Sequence, residues 1–288
     1  MTNLRDIRKR IVSVKGTQKL TRAMKLVAAA KLRRAQDNLL KMRPYAEKVL
    51  ETASIVAARI EETSHPLLSR KEGGKHLLLV ITSDKGMCGS FNANVLRHAE
   101  VHMEKLGSEA DVQLSVAGKK GIIYFRSRQK KMVKMFDNFY EDISFVKAAE
   151  VSRWLIDEYV HDRADSVSLV YNEFKSAVAQ NVVREEVLPI QRATIEGAWK
   201  DVDFIFEPDE KQILDNLLAM YVATELYRAV QESTASEYGA RMTAMENATN
   251  NAQDMVKSLT LSYNKARQAS ITKELMEIVG GSEAQRTG

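Results

Sequence analysis

The stretch from Val80 to Ser90 is the part of this sequence that comes nearest to a site for chemistry. It reads VITSDKGMCGS, an apolar run followed by a loop with two glycines. A strand, such a loop and a following helix can hold a phosphate group on the helix amides. The spacing matches neither G-x-G-x-x-G nor the Walker pattern, so we interpret the stretch as a tight turn between strand and helix. Lys119 and Lys120, after Gly118, also lack the flanking residues of a P-loop and are predicted to lie in a solvated loop.

Metal and nucleophile chemistry find equally little support. His98 and His102 are four residues apart on a predicted helix, but Ala99 stands where the H-E-x-x-H motif has its glutamate, and no third ligand is evident. Cys88 is the only cysteine, which excludes an intramolecular disulfide and a thiolate metal cage. The nucleophile motif G-x-S-x-G does not occur. We therefore expect no catalytic site, no metal and no cofactor.

The basic run from Arg126 to Lys134 is a further candidate for ligand binding. It interleaves its cations with only Met132 and Val133. It therefore lacks the aromatic platform on which a single-strand nucleic-acid binder stacks bases. We interpret the run as a solvated edge of the fold.

The two ends of the chain carry the strongest pattern. Apolar or small residues recur there at alternating spacings of three and four, which is the heptad seam of a coiled coil. Two such helices at opposite ends bury their seams most simply against each other, so we predict a long antiparallel coiled coil. The N-terminal seam is formed by Leu4, Ile7, Ile11, Val14, Ala28, Leu32, Ala35, Leu39, Met42, Ala46, Val49, Ala53, Val56 and Ile60. The C-terminal seam is formed by Tyr238, Met242, Met245, Thr249, Ala252, Val256, Leu259, Tyr263 and Ala266.

The charges of the two ends are complementary. Residues 1–48 hold 14 Lys/Arg and 3 Asp/Glu, whereas residues 201–288 hold 8 and 14, although the net charge of the chain is only +5. Opposite charges that flank a seam favour pairing of the two helices, so this pairing accounts for part of the excess of Lys and Arg at the N-terminal end. The remaining basic residues could face nucleic acid, anionic lipid or an acidic protein surface.

The seam residues are too small and too polar to stabilise a free coiled coil well. Gln18, Thr21 and Lys25 occupy positions where Ile or Leu would stabilise a two-stranded pair better. An outside surface is therefore expected to complete the burial, because exposed apolar side chains at the end of a projecting coiled coil predict a partner around them. The candidates for this outward contact are Met24, Leu26, Val27, Ile271, Leu275, Met276 and Ile278.

Between the ends, short apolar runs alternate with amphipathic stretches. Strands separated by helices indicate an α/β domain with a mostly parallel sheet. Strands are predicted at His76–Ser83, Val112–Ala117, Ser166–Phe174 and Asn181–Ile190, with an apolar stretch at Met132–Phe139. Helices are predicted at Asn92–Leu106, in a short segment that ends at Arg126, and at Phe145–His161.

Both terminal helices are long. The first is predicted from Thr2 or Asn3 to about Ile60, with a bend near Pro44, which removes a backbone hydrogen bond. The second is predicted from Pro208 until Gly280 and Gly281 stop it. The predicted organisation is an N-terminal coiled-coil helix at 1–62, an α/β domain at 75–195 and a C-terminal coiled-coil helix at 208–284.

Composition and the start of the chain predict a folded, soluble protein on the cytosolic side. Hydrophobic residues make up 44% of the chain, enough for a real core. The longest aliphatic run, Leu77–Ile81, is far shorter than the roughly 20 residues that span a bilayer. The N-terminus continues straight into patterned helix without an apolar secretory segment.

Three segments of the chain resemble the gamma subunit of F-type ATP synthases of the bacterial type. Met24 to Ala35, MKLVAAAKLRRA, resembles the family's N-terminal helix, and Ala266 to Gly281, ARQASITKELMEIVGG, is similar to its C-terminal signature. The loop SDKGMCGSFN, which begins at Ser83, is similar to its central landmark. The two terminal motifs together are specific, and the resemblance spans essentially the whole chain.

The resemblance implies a central rotor shaft. In that family a Rossmann-like body lies beside the membrane ring, and the terminal helices coil inside a ring of alternating alpha and beta subunits. Proton or sodium flow turns the shaft, whose asymmetry forces the beta-subunit sites through different nucleotide affinities and so couples ion flow to ATP synthesis or hydrolysis. The chain would then be a non-catalytic subunit with alpha, beta, epsilon and the c-ring as partners, and without a small-molecule substrate or nucleic acid of its own.

The resemblance also implies contact residues at the rotor tip. Arg267 and Gln268 would hydrogen-bond to a loop of the catalytic ring. Arg241 would be a second polar catch, and Met24 would lie beside them on the other helix.

Two further contact sets are implied. The first would face an acidic lever of the beta subunits, on the sense of its charge, and consists of Arg8, Lys9, Arg10 and Lys85. The second resembles the foot that meets the membrane ring and epsilon, and consists of Phe204, Phe206 and Glu207.

The sequence departs from the chloroplast members, which carry an inserted pair of regulatory cysteines. With Cys88 alone, dithiol control is not available. The absence of a leader favours a bacterial protein, held peripherally on the cytoplasmic face of the inner or plasma membrane.

Two alternatives remain open at this stage. A nucleic-acid-binding protein could use the basic first helix as an arm, and its binding would fall steeply with salt. A nucleotide-using enzyme could be built on the α/β middle, which requires a phosphate site that the sequence does not offer. Against both, the apolar pattern continues to the tip of the last helix.

Overall fold

The computed structural model describes residues 4–59, 65–71, 73–107, 111–137, 139–140, 143–177, 179–191 and 210–286. The chain divides into two compact units, one formed by residues 28–241 and the other by residues 1–27 together with 242–288. The helices are α1 (Leu4–Arg59), α2 (Phe91–Leu106), α3 (Lys119–Ser127), α4 (Phe145–Val160) and α5 (Glu210–Arg286). The strands are β1 (His76–Ile81), β2 (Val112–Ala117), β3 (Met132–Phe136), β4 (Ser166–Phe174) and β5 (Gln180–Leu188).

The unit of residues 28–241 is built on one sheet with the strand order β3-β2-β1-β4-β5. Strands β1 to β4 are parallel, and β5 pairs antiparallel with β4 at one edge. The predicted α/β class with a mostly parallel sheet is confirmed. The antiparallel edge follows from the short connection between β4 and β5, because a parallel return needs a longer crossover.

The central strand β1 is buried on both faces. Leu77, Leu79 and Ile81 pack into a core with residues of α4 and α5, whereas Leu78 and Val80 face a second core with residues of α2 and α3. A strand covered by helices on both faces needs a continuous apolar run rather than an alternating one. The sequence LLLVI at residues 77–81 meets that requirement.

Within the same unit, α1 and α5 run antiparallel. The ammonium of Lys31 lies over the ring of Tyr238, 5.5 Å from its centroid, and the hydroxyl of Tyr45 donates to the sulfur of Met220 at 3.2 Å. α1 is unbroken at Pro44, and the seam phase continues past it, since Met42 is half-buried and Ala46 is buried.

The unit of residues 1–27 and 242–288 is also an antiparallel helix pair. Thr249 Oγ1 donates to Thr21 Oγ1 at 2.8 Å, and Lys25 Nζ donates to Glu246 Oε1 at 2.5 Å. Every described residue of the predicted seams is buried or half-buried, whereas Ile60 lies outside the described residues. The predicted coiled coil is confirmed, and polar contacts hold the register where Ile or Leu is missing.

Two local predictions were wrong. Gly280 and Gly281 do not stop the last helix, because α5 continues to Arg286. Lys119 and Lys120 are not in a loop but begin α3, where they remain exposed. Of the other elements, β3 ends at Phe136 and β5 at Leu188, both before the predicted ends.

Gly239 lies where the β4–β5 turn crosses α5. A Cβ atom built at Gly239 would lie 3.1 Å from Ala177 O and 3.2 Å from Ala177 Cα. The glycine therefore permits a close backbone approach, which the sequence alone does not reveal.

Gly239→Val is expected to destabilise the chain by about 1–3 kcal/mol, because the side chain must displace the turn. The matched control is Gly16→Ala in α1, where a Cβ would meet nothing within 4 Å. That change should stabilise the helix by about 0.5–1 kcal/mol through its helix propensity. Urea unfolding of the purified full chain measures both, and a Gly239→Val variant as stable as the parent would disprove the close approach.

Candidate partner-contact sites

Arg267 and Gln268 are exposed on α5 in the unit of residues 1–27 and 242–288. In this antiparallel pair Lys25 meets Glu246, so Met24 lies level with the same part of α5. Arg267 is about 30 Å further along the helix axis at 1.5 Å per residue. The prediction that Met24 lies beside Arg267 and Gln268 was therefore wrong, because the register of the pair separates them.

The C-terminal part of α5 exposes a series of apolar side chains. The same register places Arg267 level with the first described residues of α1, so the following turns of α5 extend beyond that helix. All residues from Ile271 to Ser282 are exposed. They include Ile271, Leu275, Met276, Ile278 and Val279, each between 49% and 69% exposed. Clustered apolar side chains of this kind mark a surface that a partner covers.

A polar groove of 620 Å³ lies on the same helix pair. Lys19, Arg22 and Lys25 line one side of it, and Glu246 and Asn250 lie on the other. Because Glu246 neutralises Lys25, the excess positive charge of the groove comes from Lys19 and Arg22. The groove therefore favours an acidic neighbour.

Arg8, Lys9 and Arg10 are all exposed on α1. Consecutive residues of a helix point about 100° apart, so these three cations spread around the solvent side of α1 rather than forming one patch. They raise the positive potential of this stretch of α1, but they do not form a site of defined geometry.

Lys85 lies in the other unit, in the loop of residues 82–90 between β1 and α2. Its side chain is exposed, and so is that of Met87, which is 63% exposed at a φ of 63°. Arg241 of α5 contacts this loop from the inner side. Its Nη1 donates to Gly86 O at 2.6 Å, and its Nη2 donates to Lys85 O at 3.3 Å.

The same loop does not offer an open phosphate cradle at α3. Lys119 N donates to Asp84 Oδ1 at 2.9 Å, Lys120 N to Ser83 O at 3.0 Å and Gly121 N to Thr82 Oγ1 at 2.9 Å. The first amides of α3 are thus satisfied within the chain. Gly118, at φ 98°, allows the strand and loop to come this close, since a Cβ there would lie 2.0 Å from Thr82 O.

The two histidines of α2 do not form a metal site with a third ligand in the described part of the chain. His98 is exposed, and burial together with the nearby Arg184 lowers the pKa of the half-buried His102 to about 4. No group of three His, Cys, Asp or Glu residues that could hold a metal ion occurs among the described residues.

Sequence reasoning missed an ionic cluster that joins α5 to the sheet. Arg228 Nη2 donates to both carboxylate oxygens of Glu185 on β5, at 2.6 and 2.7 Å, and to Glu225 at 2.5 Å. Its Nη1 donates to Glu232 at 3.2 Å and to the hydroxyl of Tyr171 at 3.3 Å. The spacings from Glu225 to Arg228 and from Arg228 to Glu232 were visible as helical neighbours, whereas Glu185 is distant in sequence.

Other expectations lie outside the described residues or concern membrane contact. Phe204, Phe206 and Glu207 lie in the segment that the structure does not describe. Among the helices it does describe, none combines the length and the apolar character needed to cross a membrane.

The comparisons with known proteins agree on one family. The family profile described as ATP synthase matches residues 3–285. The ATP synthase gamma chain of Anaeromyxobacter sp. (strain Fw109-5) is 46% identical over 288 residues, and that of Geotalea uraniireducens (strain Rf4) is 42% identical over 285 residues. In both cases the match covers 99% of this chain and 99% of the relative.

Solved structures give the same result for the fold. A chain from the central stalk and c-ring of the Tetrahymena thermophila mitochondrial ATP synthase matches with a TM-score of 0.62 and 30% identity, over 80% of this chain and 99% of that one. A chain from the Euglena gracilis mitochondrial ATP synthase, at 20% identity, supports the fold alone, with a TM-score of 0.69 over 99% of this chain and 95% of that one. The full-length match and the high coverage of both sequences show that this chain belongs to the ATP synthase gamma-chain family.

Proposed function

We propose that the chain is the rotor shaft of the central stalk of an F-type ATP synthase, which turns inside the alpha/beta ring and couples ion flow to ATP synthesis or hydrolysis. The observation that carries this function is the full-length relationship to gamma chains, together with a helical tip whose apolar side chains are uncovered. A shaft can bias the sites around it only if it contacts their conformational states differently. An asymmetric helix pair with a polar groove and an apolar tip can make such unequal contacts.

The chain itself is proposed to be non-catalytic. The first amides of α3, which lie against the glycine loop, are satisfied within the chain, and the relatives of this chain are named as ATP synthase gamma chains. The ATP sites would then belong to the beta subunits. The alternative of a nucleic-acid-binding protein gains no support from the comparisons.

The proposed organisation assigns a role to each segment. The helices at 1–62 and 208–284 form the shaft, and the α/β domain at 75–195 is the body beside the c-ring and epsilon. The undescribed Phe204, Phe206 and Glu207 are proposed as part of that foot. The complex would place the chain peripherally on the cytoplasmic face of the membrane.

Co-purification tests this function directly. A tagged chain isolated from its native cell in mild detergent should bring down alpha and beta chains in equal amounts, several copies of each per copy of the bait, together with epsilon and c. Recovery of the chain alone, or with nucleic acid, would refute the proposal.

The contact residues are proposed to act by charge and hydrogen bonding. Arg267→Ala with Gln268→Ala should lower ATP turnover of the assembled complex by about tenfold or more, because hydrogen bonds to charged groups contribute about 1.5–3 kcal/mol each. Arg8→Ala, Lys9→Ala and Arg10→Ala together should have a smaller effect that fades with salt. Lys265→Ala, an exposed cation near the tip, is the control. Unchanged turnover in the Arg267/Gln268 variant would remove those two residues from the contact.

A further inference from the structure

The loop that carries Lys85 is hydrogen-bonded to α5 through Arg241, and its Cys88 also packs against Ala240 of the same helix. Arg241 donates from Nη1 to Gly86 O at 2.6 Å and from Nη2 to Lys85 O at 3.3 Å, and Nη2 also donates to Glu237 Oε1 at 2.5 Å. The side chains of Arg241 and Glu237 are only 11% and 8% exposed. Two successive carbonyls of the loop are thus held by a buried, charge-paired guanidinium.

The inner side of the loop is held by neutral groups as well. Ser83 Oγ donates to Lys85 O at 2.7 Å, and the thiol of Cys88 lies 3.8 Å from the same oxygen. Asn92 Nδ2 donates to Cys88 Sγ at 3.2 Å. The backbone at Lys85 is therefore fixed from within, while its ammonium group remains exposed.

The outward groups of this loop depend on that fixation. Met87 adopts a φ of 63°, a conformation that non-glycine residues adopt only where their surroundings impose it. Without the arginine, Gly86 O would lose a charge-assisted hydrogen bond, and the loop would relax toward ordinary backbone conformations. The position of the Lys85 side chain relative to α5 would then be held less tightly.

We propose that Arg241 is a positioning residue that acts through Lys85: it locks the loop of residues 84–88 onto α5, so that the Lys85 ammonium is presented at a fixed position around the shaft helix. The functional part of this inference rests on the proposed contact of Lys85 with an acidic partner surface. Three of the five N–H groups of Arg241 are already committed to acceptors within the chain. Arginine suits the role because its planar fork reaches two carbonyls and a carboxylate at once, which the single ammonium of lysine does not reproduce.

The native Cys88 reports on the lock without any added label site. Its side chain is 1% exposed, and burial raises the pKa of its thiol, so it should react slowly with N-ethylmaleimide. In purified full-length chain, Arg241→Met should speed alkylation of Cys88 by about tenfold or more, because the loop opens more often. The alkylation rate of Cys88 in Arg241→Lys should lie between the rates of the parent chain and of Arg241→Met. Mass spectrometry of the peptide that contains Cys88 gives the rate.

The matched control is Arg153→Met on α4, which removes an exposed arginine of the same unit whose Nε donates to Ala149 O of its own helix. Its Cys88 should react at the parental rate. An Arg241→Met variant with the parental rate, while circular dichroism confirms that it is folded, would overturn the proposed lock.

A double-mutant cycle in the assembled complex tests the action through Lys85. Ion pumping per ATP hydrolysed should fall in Lys85→Ala and in Arg241→Met, and the double variant should be no worse than the poorer single variant. Additive losses, or a loss in Arg241→Met when Lys85→Ala has none, would overturn this inference. Either result would leave the rotor function standing, since co-purification tests that function separately.

Discussion

Arg228→Met is expected to cost about 3–5 kcal/mol of folding free energy, the largest effect of any single substitution proposed for this chain. The side chain is 25% exposed and its guanidinium contacts the carboxylates of Glu185, Glu225 and Glu232. Removing Arg228 leaves the largely buried carboxylates of Glu225 and Glu232 uncompensated, which costs far more than the intact pairs contribute. Urea unfolding of the purified full chain at neutral pH gives the free energy.

The deficit of Arg228→Met should shrink as the pH falls. Burial raises the pKa of Glu225 and Glu232, although Arg228 opposes the rise. A carboxyl whose pKa is raised on folding contributes stability that is lost as the pH rises from the ordinary carboxyl range through the raised value. Without Arg228 the pKa values of Glu225 and Glu232 should be raised further on folding. The variant should therefore lose more stability at about pH 8 than at about pH 5.

The matched control keeps the shape of the cluster and removes charge. Glu232→Gln deletes one of the three carboxylates, and its Oε2 is buried with no hydrogen-bond partner among the described residues. Two carboxylates would still balance Arg228, so this variant should lose about 1 kcal/mol or less. An Arg228→Met variant that unfolds no earlier than Glu232→Gln would contradict the structural role of the cluster.

The second large effect is expected at the apolar tip of α5. Replacing Ile271, Leu275, Met276 and Ile278 together by serine should weaken association with the alpha/beta ring by several kcal/mol. Each such side chain contributes about 1.5–3 kcal/mol when a partner buries it fully. Because these side chains are already exposed in the chain alone, the same variant should keep its own unfolding free energy nearly unchanged.

That contrast makes the tip experiment decisive. Association is measured by pull-down of alpha and beta chains over a range of concentrations, and stability by urea unfolding of the free chain. The control replaces Lys273 and Glu277, an exposed ion pair on the same helix, by serine and should leave both quantities nearly unchanged. Full retention of ring binding by the apolar variant would show that the tip is not covered by the ring.

The fold was largely predictable because its signals are local and periodic. The heptad seams predicted the helix pair, and apolar runs such as Leu77–Ile81 predicted the parallel strands. The prediction that Gly280 and Gly281 end α5 was wrong, because a glycine ends a helix only when the following backbone adopts another conformation. Here α5 continues through both glycines to Arg286, and both lie in open surroundings among the described residues.

The contact sites were less predictable because they depend on pairs that are distant in sequence. The position of Met24 relative to Arg267 follows from the register that Thr21 and Thr249 set, which spacing alone does not define. The contact of Arg241 with Gly86 joins residues that are 155 positions apart. Local pattern identified these side chains as candidates, but only the folded chain reveals which backbone atoms they hold.

Rotation of the chain inside the ring is the most direct test of the account. The complex can be fixed by its alpha and beta chains, and a bead attached to a cysteine at the exposed His98 of α2, with Cys88 replaced by serine. On addition of ATP the bead should turn in one direction, in steps that match the catalytic sites of the ring. ATP hydrolysis that proceeds at full rate while the bead stays still would contradict the central claim.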